Sequence, residues 1–211
     1  MTVHQDGEAL LLLPQKAIYW QKEKLLMLSD AHLAKDAHFR KHGIAIPNAL
    51  SDSTLNGLSD IIAAHSPERL LILGDMFHSD WNRGVEKFIA WRKSFASLSV
   101  ELVEGNHDVL GTEKYIEMGI LSHGFSYTIG PFFFIHEDDG ANEKFTFSGH
   151  IHPAIKLRGK ARQVLRIPCF WWQPKAAVLP AFGAFTGNHS IKAKKKDKVY
   201  GIAGDEVMEI Q

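Results

Sequence analysis

The sequence predicts an α/β fold, on the strength of three short apolar runs, two helical patterns between them, and a change of texture after Gly124. Leu25 to Leu28, Leu70 to Leu73 and Val100 to Val103 each have the length of a buried strand, and each stops abruptly at polar residues. Pro47 to His65 repeats apolar residues at Leu50, Leu55, Leu58, Ile61 and Ile62, with Pro47 suited to a first helical turn. Val85, Phe88, Ile89, Trp91, Phe95 and Leu98 give a second helical stripe. The alternation is βαβαβ, which a parallel sheet requires.

Past Gly124 the runs become strand-like and are broken by Gly, Pro and Asp: Phe125 to Ile135, Phe145 to Phe147, Val164 to Ile167, Ala176 to Pro180 and Val199 to Ile202. These predict a second, mainly antiparallel sheet packed on the first. With no repeat and no Pro- or Ser-rich linker, one layered domain over 1–211 is expected.

A chain of 211 residues with 45% apolar and 23% charged content can bury a full core, which excludes disorder. Lys plus Arg and Asp plus Glu are both 24, so no overall field draws the chain to nucleic acid or acidic membranes, and any polyanion site must be local. Cys169 is the only cysteine, which excludes an internal disulfide and a thiolate zinc site. The early apolar run Ala9 to Leu13 is too short for a signal core or a membrane span, and a cytoplasmic protein is expected.

Half of the twelve histidines fall in short motifs. Ser29-Asp30-Ala31-His32, Gly74-Asp75-Met76-Phe77-His78 and Gly105-Asn106-His107-Asp108 follow directly on the three core strands; His136 and Gly149-His150-Ile151-His152 come later. In an open α/β sheet, ligands bind beyond the strand C-termini, so separate motifs become one site. Asp30 and His32 are two apart, as are His150 and His152, a spacing that in extended backbone puts both side chains on one face. Carboxylate, amide and imidazole donors without thiolate suit manganese, iron or zinc, with magnesium less favoured. Asp30, His32, Asp75, Asn106, His136, His150 and His152 exceed the needs of one ion; two ions about 3.5 to 4 Å apart would use them all, with Asp75 as the bridge.

These blocks, in this order, resemble the calcineurin-like metallophosphoesterase superfamily: Asp-x-His, Gly-Asp, Gly-Asn-His-(Asp/Glu), His and Gly-His-x-His, running here from Asp30 to His152. The resemblance implies a four-layer α/β/β/α sandwich of two mixed sheets flanked by helices. It implies one ion on Asp30, His32, Asp75 and His152, and another on Asp75, Asn106, His136 and His150. His107 would face the substrate as general acid or phosphate ligand.

A narrower resemblance is to the PdeM subgroup of bacterial ligase-associated DNA damage response endonucleases. It rests on His32 to Arg40 with Gly43 and Pro47, on Gly74 to Ser79, and on Leu179 to Gly187. Ala34 replaces a Gly of that pattern, and Asn188 stands where a further Gly is typical; these departures bear on loop geometry and substrate choice. A manganese-dependent nuclease linked to DNA repair, with a ligase or helicase as partner, is what this resemblance implies.

Each residue has a plainer reading. Asp30 and Asp75 could cap helices, and His136 could be a hydrogen-bonded strand-end histidine. His78 could be a support for a ligand, a phosphate contact or a helix start. Lys35, Arg40 and Lys41 could line a phosphate cleft or form a solvated loop. The lysines of Lys192 to Lys198 read better as a solvated hairpin tip than as a nucleic-acid track, and Phe170, Trp171 and Trp172 better as buried than as base-stacking. The competing functions are a phosphoesterase for a small nucleotide or lipid-linked phosphate, and a metal-binding scaffold without turnover.

Overall fold

In the computed structural model the run Leu25–Leu28 is a strand with every side chain buried, and its residues split by period two. Leu26 and Leu28 join one core with helical residues, while Leu25 and Met27 join a second core with residues of another sheet. The uninterrupted apolar run thus has its reason: both faces of the strand are covered. The structure describes residues 1–33, 49–77, 81, 83–159, 163–183 and 186–211, with the side chains of 49–52 and 83 left aside.

The first sheet has the order β1 (Thr2–Gln5), β2 (Glu8–Leu13), β3 (Ala17–Trp20), β4 (Leu25–Leu28), β5 (Arg69–Leu73), β6 (Ser99–Val103) and β7 (Ile120–Ser122). β1 to β4 form an antiparallel meander, and β4 to β7 are parallel. Helices α1 (Ala49–His65), α2 (Arg83–Lys93) and α3 (Thr112–Glu117) supply Leu55, Leu58, Ile61, Val85, Phe88 and Tyr115 to one core against this sheet. The helical stripe expected to reach Leu98 stops at Lys93, and Phe95 and Leu98 sit in turns that Arg92 holds through the Phe95 and Leu98 carbonyls.

The second sheet contains β8 (Ser126–Ile129), β9 (Phe132–Ile135), β10 (Phe145–Ser148), β11 (Pro153–Arg158), β12 (Val164–Trp172), β13 (Ala176–Val178), β14 (His189–Ser190), β15 (Lys198–Ala203) and β16 (Glu206–Glu209). Its order is β14-β11-β12-β13-β10-β9-β8, with β15 also on β12 and β16 on β15. Most pairings are antiparallel, but β9, β10 and β13 run parallel side by side, so the sheet is mixed. Phe132, Phe134, Phe145, Phe147, Phe170 and Trp172 face Leu10, Leu12, Ile18, Trp20, Leu71 and Leu73 across the interface. The Trp20 and Phe132 rings meet edge-on at 5.0 Å.

The architecture is therefore α/β with two mixed sheets face to face. All three helices among the described residues pack on the first sheet, and none covers the outer face of the second. None of them is long and apolar enough to cross a membrane. Trp172 is buried between the sheets, whereas Trp171 is half-buried with its indole N–H on Asp197 at 2.9 Å. The lysine run is no hairpin tip: Lys194 to Lys196 lead into β15 through a turn pinned by buried Asp197, which accepts the Lys194 N–H at 2.8 Å.

Candidate metal centre

Five strands end at one place. Asp30 and His32 follow β4, Asp75 follows β5, Asn106 and His107 follow β6, His136 follows β9, and His150 and His152 follow β10. The chain from Asp30 to Leu33 runs beside Gly74 to Met76, with Asp30 N–H on Gly74 O and His32 N–H on Asp75 O. Phe182 and Gly183 donate to the carbonyls of Ser29 and Asp30, tying the second sheet to the end of β4.

The donors form two overlapping groups. One is Asp30, His32 and His152, with His152 Nε2 3.1 Å from Asp30 Oδ1; the other is Asp30, Asp75 and His136. Asp75 faces both ways, Oδ2 lying 3.8 Å from His32 Nε2 and Oδ1 3.4 Å from His136 Nε2. Asn106 Oδ1 and His150 Nδ1 are each 3.2 Å from the same His136 nitrogen. For metal bonds of about 2.1 Å, the edges of a coordination polyhedron measure about 3.0 to 3.4 Å, which every one of these spacings meets except His32 to Asp75 at 3.8 Å.

Second contacts aim the rings. His136 Nδ1 lies 3.0 Å from Leu73 O and His152 Nδ1 2.9 Å from Gly187 O, which leaves each Nε2 to present a lone pair. Asp30 accepts the His150 N–H at 3.1 Å through Oδ2, and Asp75 Oδ1 accepts the His107 N–H at 3.0 Å. Asp30, His32, Asp75 and His136 are buried, Asn106 is exposed, and His107, His150 and His152 are half-buried, so the site opens on one side. The His107 ring centroid lies 5.8 Å from that of His32, beside the donors and outside the two groups.

Burial opposes the charge of Asp75, but hydrogen bonding and charge from His136, with the His107 N–H, bring its carboxyl down to about 2. Burial likewise opposes a charged His136, and Asp75, the Leu73 carbonyl and Asp30 outweigh it, raising the imidazole to about 9. A buried site holding this much negative potential attracts a proton or a cation. Asp108 belongs to the scaffold: it accepts N–H groups from Met76, Phe77 and Gly105 at 2.9 to 3.2 Å, and burial lifts its carboxyl to about 6.

Asp30, His32, Asp75, His150 and His152 all have positive φ, between 42° and 68°. The Asp30-x-His32 and His150-x-His152 pairs therefore do not lie in extended backbone, contrary to the alternation expected from their spacing; each of these four residues turns in the left-handed region. Such residues carry a strain of about 1 to 2 kcal/mol each, which gathers here at the donors. Glycines make room for them: a Cβ on Gly74 would lie 2.1 Å from His136 Nδ1, and one on Gly149 2.6 Å from Asp30 Oδ2.

Lys35, Arg40, Lys41 and His78 lie outside the described residues. Sequence reasoning missed Phe125, 75% exposed, and Glu137, which with Ile135 wall a hollow beside Asn106 and His136. Glu137 Oε1 is 3.8 Å from His150 Nε2, and its position next to His136 was the available signal.

No family model and no curated relative matches the sequence. Among solved structures, the chain is similar to Pseudomonas putida nuclease MPE, with 31% identity over 100% of this chain and 99% of that one and a TM-score of 0.86. A looser likeness, to Yfce, a phosphoesterase from E. coli, has 11% identity over 88% of this chain and 97% of that one, with a TM-score of 0.48. A chain that matches the Pseudomonas nuclease end to end, at 31% identity, belongs to the same family: the calcineurin-like metallophosphoesterases, metal-dependent hydrolases of phosphate esters.

Proposed function

We propose that this chain is a nuclease that hydrolyses phosphodiester bonds of DNA at a two-cation site. Asp30, His32, Asp75 and His152 hold one cation, and Asp75, Asn106, His136 and His150 the other. The observation that carries the reading is the Asp75 carboxylate, whose two oxygens face His32 and His136 at 3.8 and 3.4 Å. The relative matched over its full length is a nuclease.

The donor set fits divalent cations: hard oxygens and imidazole nitrogens, no thiolate, and rings already fixed by backbone carbonyls. Manganese suits this mixture best. Divalent cations bound there supply an acidified water and neutralise phosphoryl charge. The residues of the chain do the rest. His107, anchored through its backbone N–H on Asp75, stands beside the donors and gives its ring proton to the departing alkoxide. The open side with Asn106, Phe125 and Ile135 admits the ester.

The same reading takes 1–211 as one cytoplasmic domain, with a repair ligase or helicase as the partner implied by the resemblance; buried, unpaired Cys169 agrees with a reducing compartment. The test is a substrate panel with Mn2+: nicked, single-stranded and duplex DNA, bis-p-nitrophenyl phosphate, and mononucleotides. Cleavage of DNA supports the nuclease reading. Turnover of small esters without DNA cleavage assigns the site to a small nucleotide or lipid-linked phosphate, and no turnover of anything makes the chain a scaffold.

A further inference from the structure

The chain is neutral overall, yet from Lys144 to Lys196 it contains eleven Lys and Arg and no Asp or Glu. This acid-free stretch begins just before β10, runs through His150 and His152, and includes the β11–β12 hairpin. We infer that this hairpin is a docking arm for the nucleic-acid backbone, carrying the strand away from the metal centre over a face made by Lys156, Arg158 and Arg166. The inference rests on the nuclease reading above and deepens it.

Register places the cations. β11 starts at Pro153, immediately after His152, and Lys156 lies directly opposite Arg166, with Arg158 opposite Val164. By the alternation of a strand, Lys156, Arg158, Arg166 and Val164 share one face. Like charges paired directly across strands destabilise a sheet, so this pairing is a cost that an anion seated between them removes. All three side chains are exposed, and among the described residues none is paired with a carboxylate; Arg166 reaches only the Asn188 carbonyl, at 3.3 Å. Val164 and Leu165, 59% and 58% exposed, show that this end of the hairpin is not packed on the core.

A neighbouring strand continues the face. β14 pairs in parallel with β11, Ser190 beside Ala154, and the Ile191 N–H bonds the Ala154 carbonyl before the chain reaches exposed Lys192 and Lys194. The arm is joined to the site at its root, since the His189 N–H bonds the His152 carbonyl at 2.9 Å. At about 3.3 Å per strand residue, Lys156 lies about 13 Å and Arg158 about 20 Å along the chain from His152. At about 3.4 Å per duplex step, these distances correspond to phosphates about four to six steps from the scissile one.

The test uses the full-length, metal-loaded protein and a K156Q/R158Q/R166Q variant, assayed on a DNA 20-mer, a dinucleotide and bis-p-nitrophenyl phosphate. The inference predicts that the ratio of kcat/KM for the 20-mer to that for either small diester falls at least tenfold. It also predicts that the log–log salt slope for the 20-mer becomes shallower by about 2, three backbone contacts at about 0.7 each. An unchanged ratio and slope mean a solvated hairpin and overturn the inference, as does an equal fall on all three substrates. If the wild type cleaves no substrate, the nuclease reading fails by itself; fluorescence anisotropy of the labelled 20-mer in EDTA then decides on the arm, equal affinity of wild type and variant overturning it.

Discussion

His136 Nε2 and His150 Nδ1 point at one another across 3.2 Å, although they follow different strands of the second sheet. One proton can lie between two such nitrogens, and otherwise their lone pairs repel. Asn106 Oδ1 and Asp75 Oδ1, at 3.2 and 3.4 Å from the same His136 nitrogen, add negative potential from the first sheet. The arrangement is a site divided between the two halves of the sandwich, and a cation bound there would satisfy all four donors together.

Metal binding should therefore expel a proton. His136, raised to about 9 when no metal is bound, is protonated at pH 7.5, whereas a metal ligand must be neutral. Apparent Mn2+ affinity should rise about tenfold per pH unit from 7 to 9 and then level off. Calorimetry in buffers of different ionisation enthalpy should give close to one proton released per chain; none released would contradict the assignment of His136.

His136 and Asp75 make metal-free stability depend on pH, with opposite signs. His136 is raised above its unfolded value near 6.5, so its contribution is complete below that pH and is lost as pH rises through about 9. Asp75 is lowered, so its contribution is present above its unfolded value near 3.9 and is lost as pH falls towards about 2. Thermal melts in EDTA should show a plateau between these limits, and His136→Gln should abolish the alkaline arm.

Gly149→Ala should damage the site without replacing a donor. The new Cβ would sit 2.6 Å from Asp30 Oδ2 and equally near the Ser29 side chain, so Asp30 must move. A loss of about 10- to 100-fold in metal affinity is expected, the usual scale for disturbing the support of a ligand. Titration of the variant with Mn2+ measures it, and wild-type affinity would show that Asp30 is not a ligand.

His107→Ala should lower kcat by about 10²- to 10⁴-fold on DNA, whose leaving group is a basic alkoxide in need of a proton. The loss should be much smaller on bis-p-nitrophenyl phosphate, whose phenolate leaves unaided. Equal losses on both substrates would make His107 a phosphate ligand and not an acid.

Glu101→Gln separates fold from chemistry. Buried Glu101 takes Arg69 at 2.6 and 2.8 Å and His123 at 2.7 Å, while His123 stacks on Tyr127 at 3.6 Å, joining β5, β6 and β8 around one carboxylate. With Arg69 partly exposed, a loss of about 2 kcal/mol is expected, below the usual range for breaking a buried pair. Urea unfolding should show that loss, with kcat of the folded enzyme unchanged.

The strands that carry the donors were legible because both of their faces are buried: Leu25–Leu28, Leu70–Leu73 and Val100–Val103 need no alternation, and each ends where polar residues begin. The meander of β1 to β3 was not read, although Asp6-Gly7, both at positive φ between the paired Gln5 and Glu8, is a two-residue hairpin signature for β1 and β2; the unbroken apolar run Leu10 to Leu13 hid the alternation of β2. The backbone at the site was also hidden. Asp-x-His spacing suggests an extended pair, whereas Asp30 and His32 have φ of 52° and 42°, a conformation imposed by tertiary bonds to Gly74 and Asp75. Net charge concealed the segregation of acids away from 144–196, because a total has no position.

The most direct measurement is Mn2+-dependent cleavage of DNA by the wild type and Asp75→Asn, with bound metal counted for each. The account predicts two ions per wild-type chain, cleavage abolished by EDTA, and in the variant a folded protein with fewer ions and at least a thousandfold less activity. Full activity in Asp75→Asn, or wild-type cleavage that persists after every ion is removed, would contradict it.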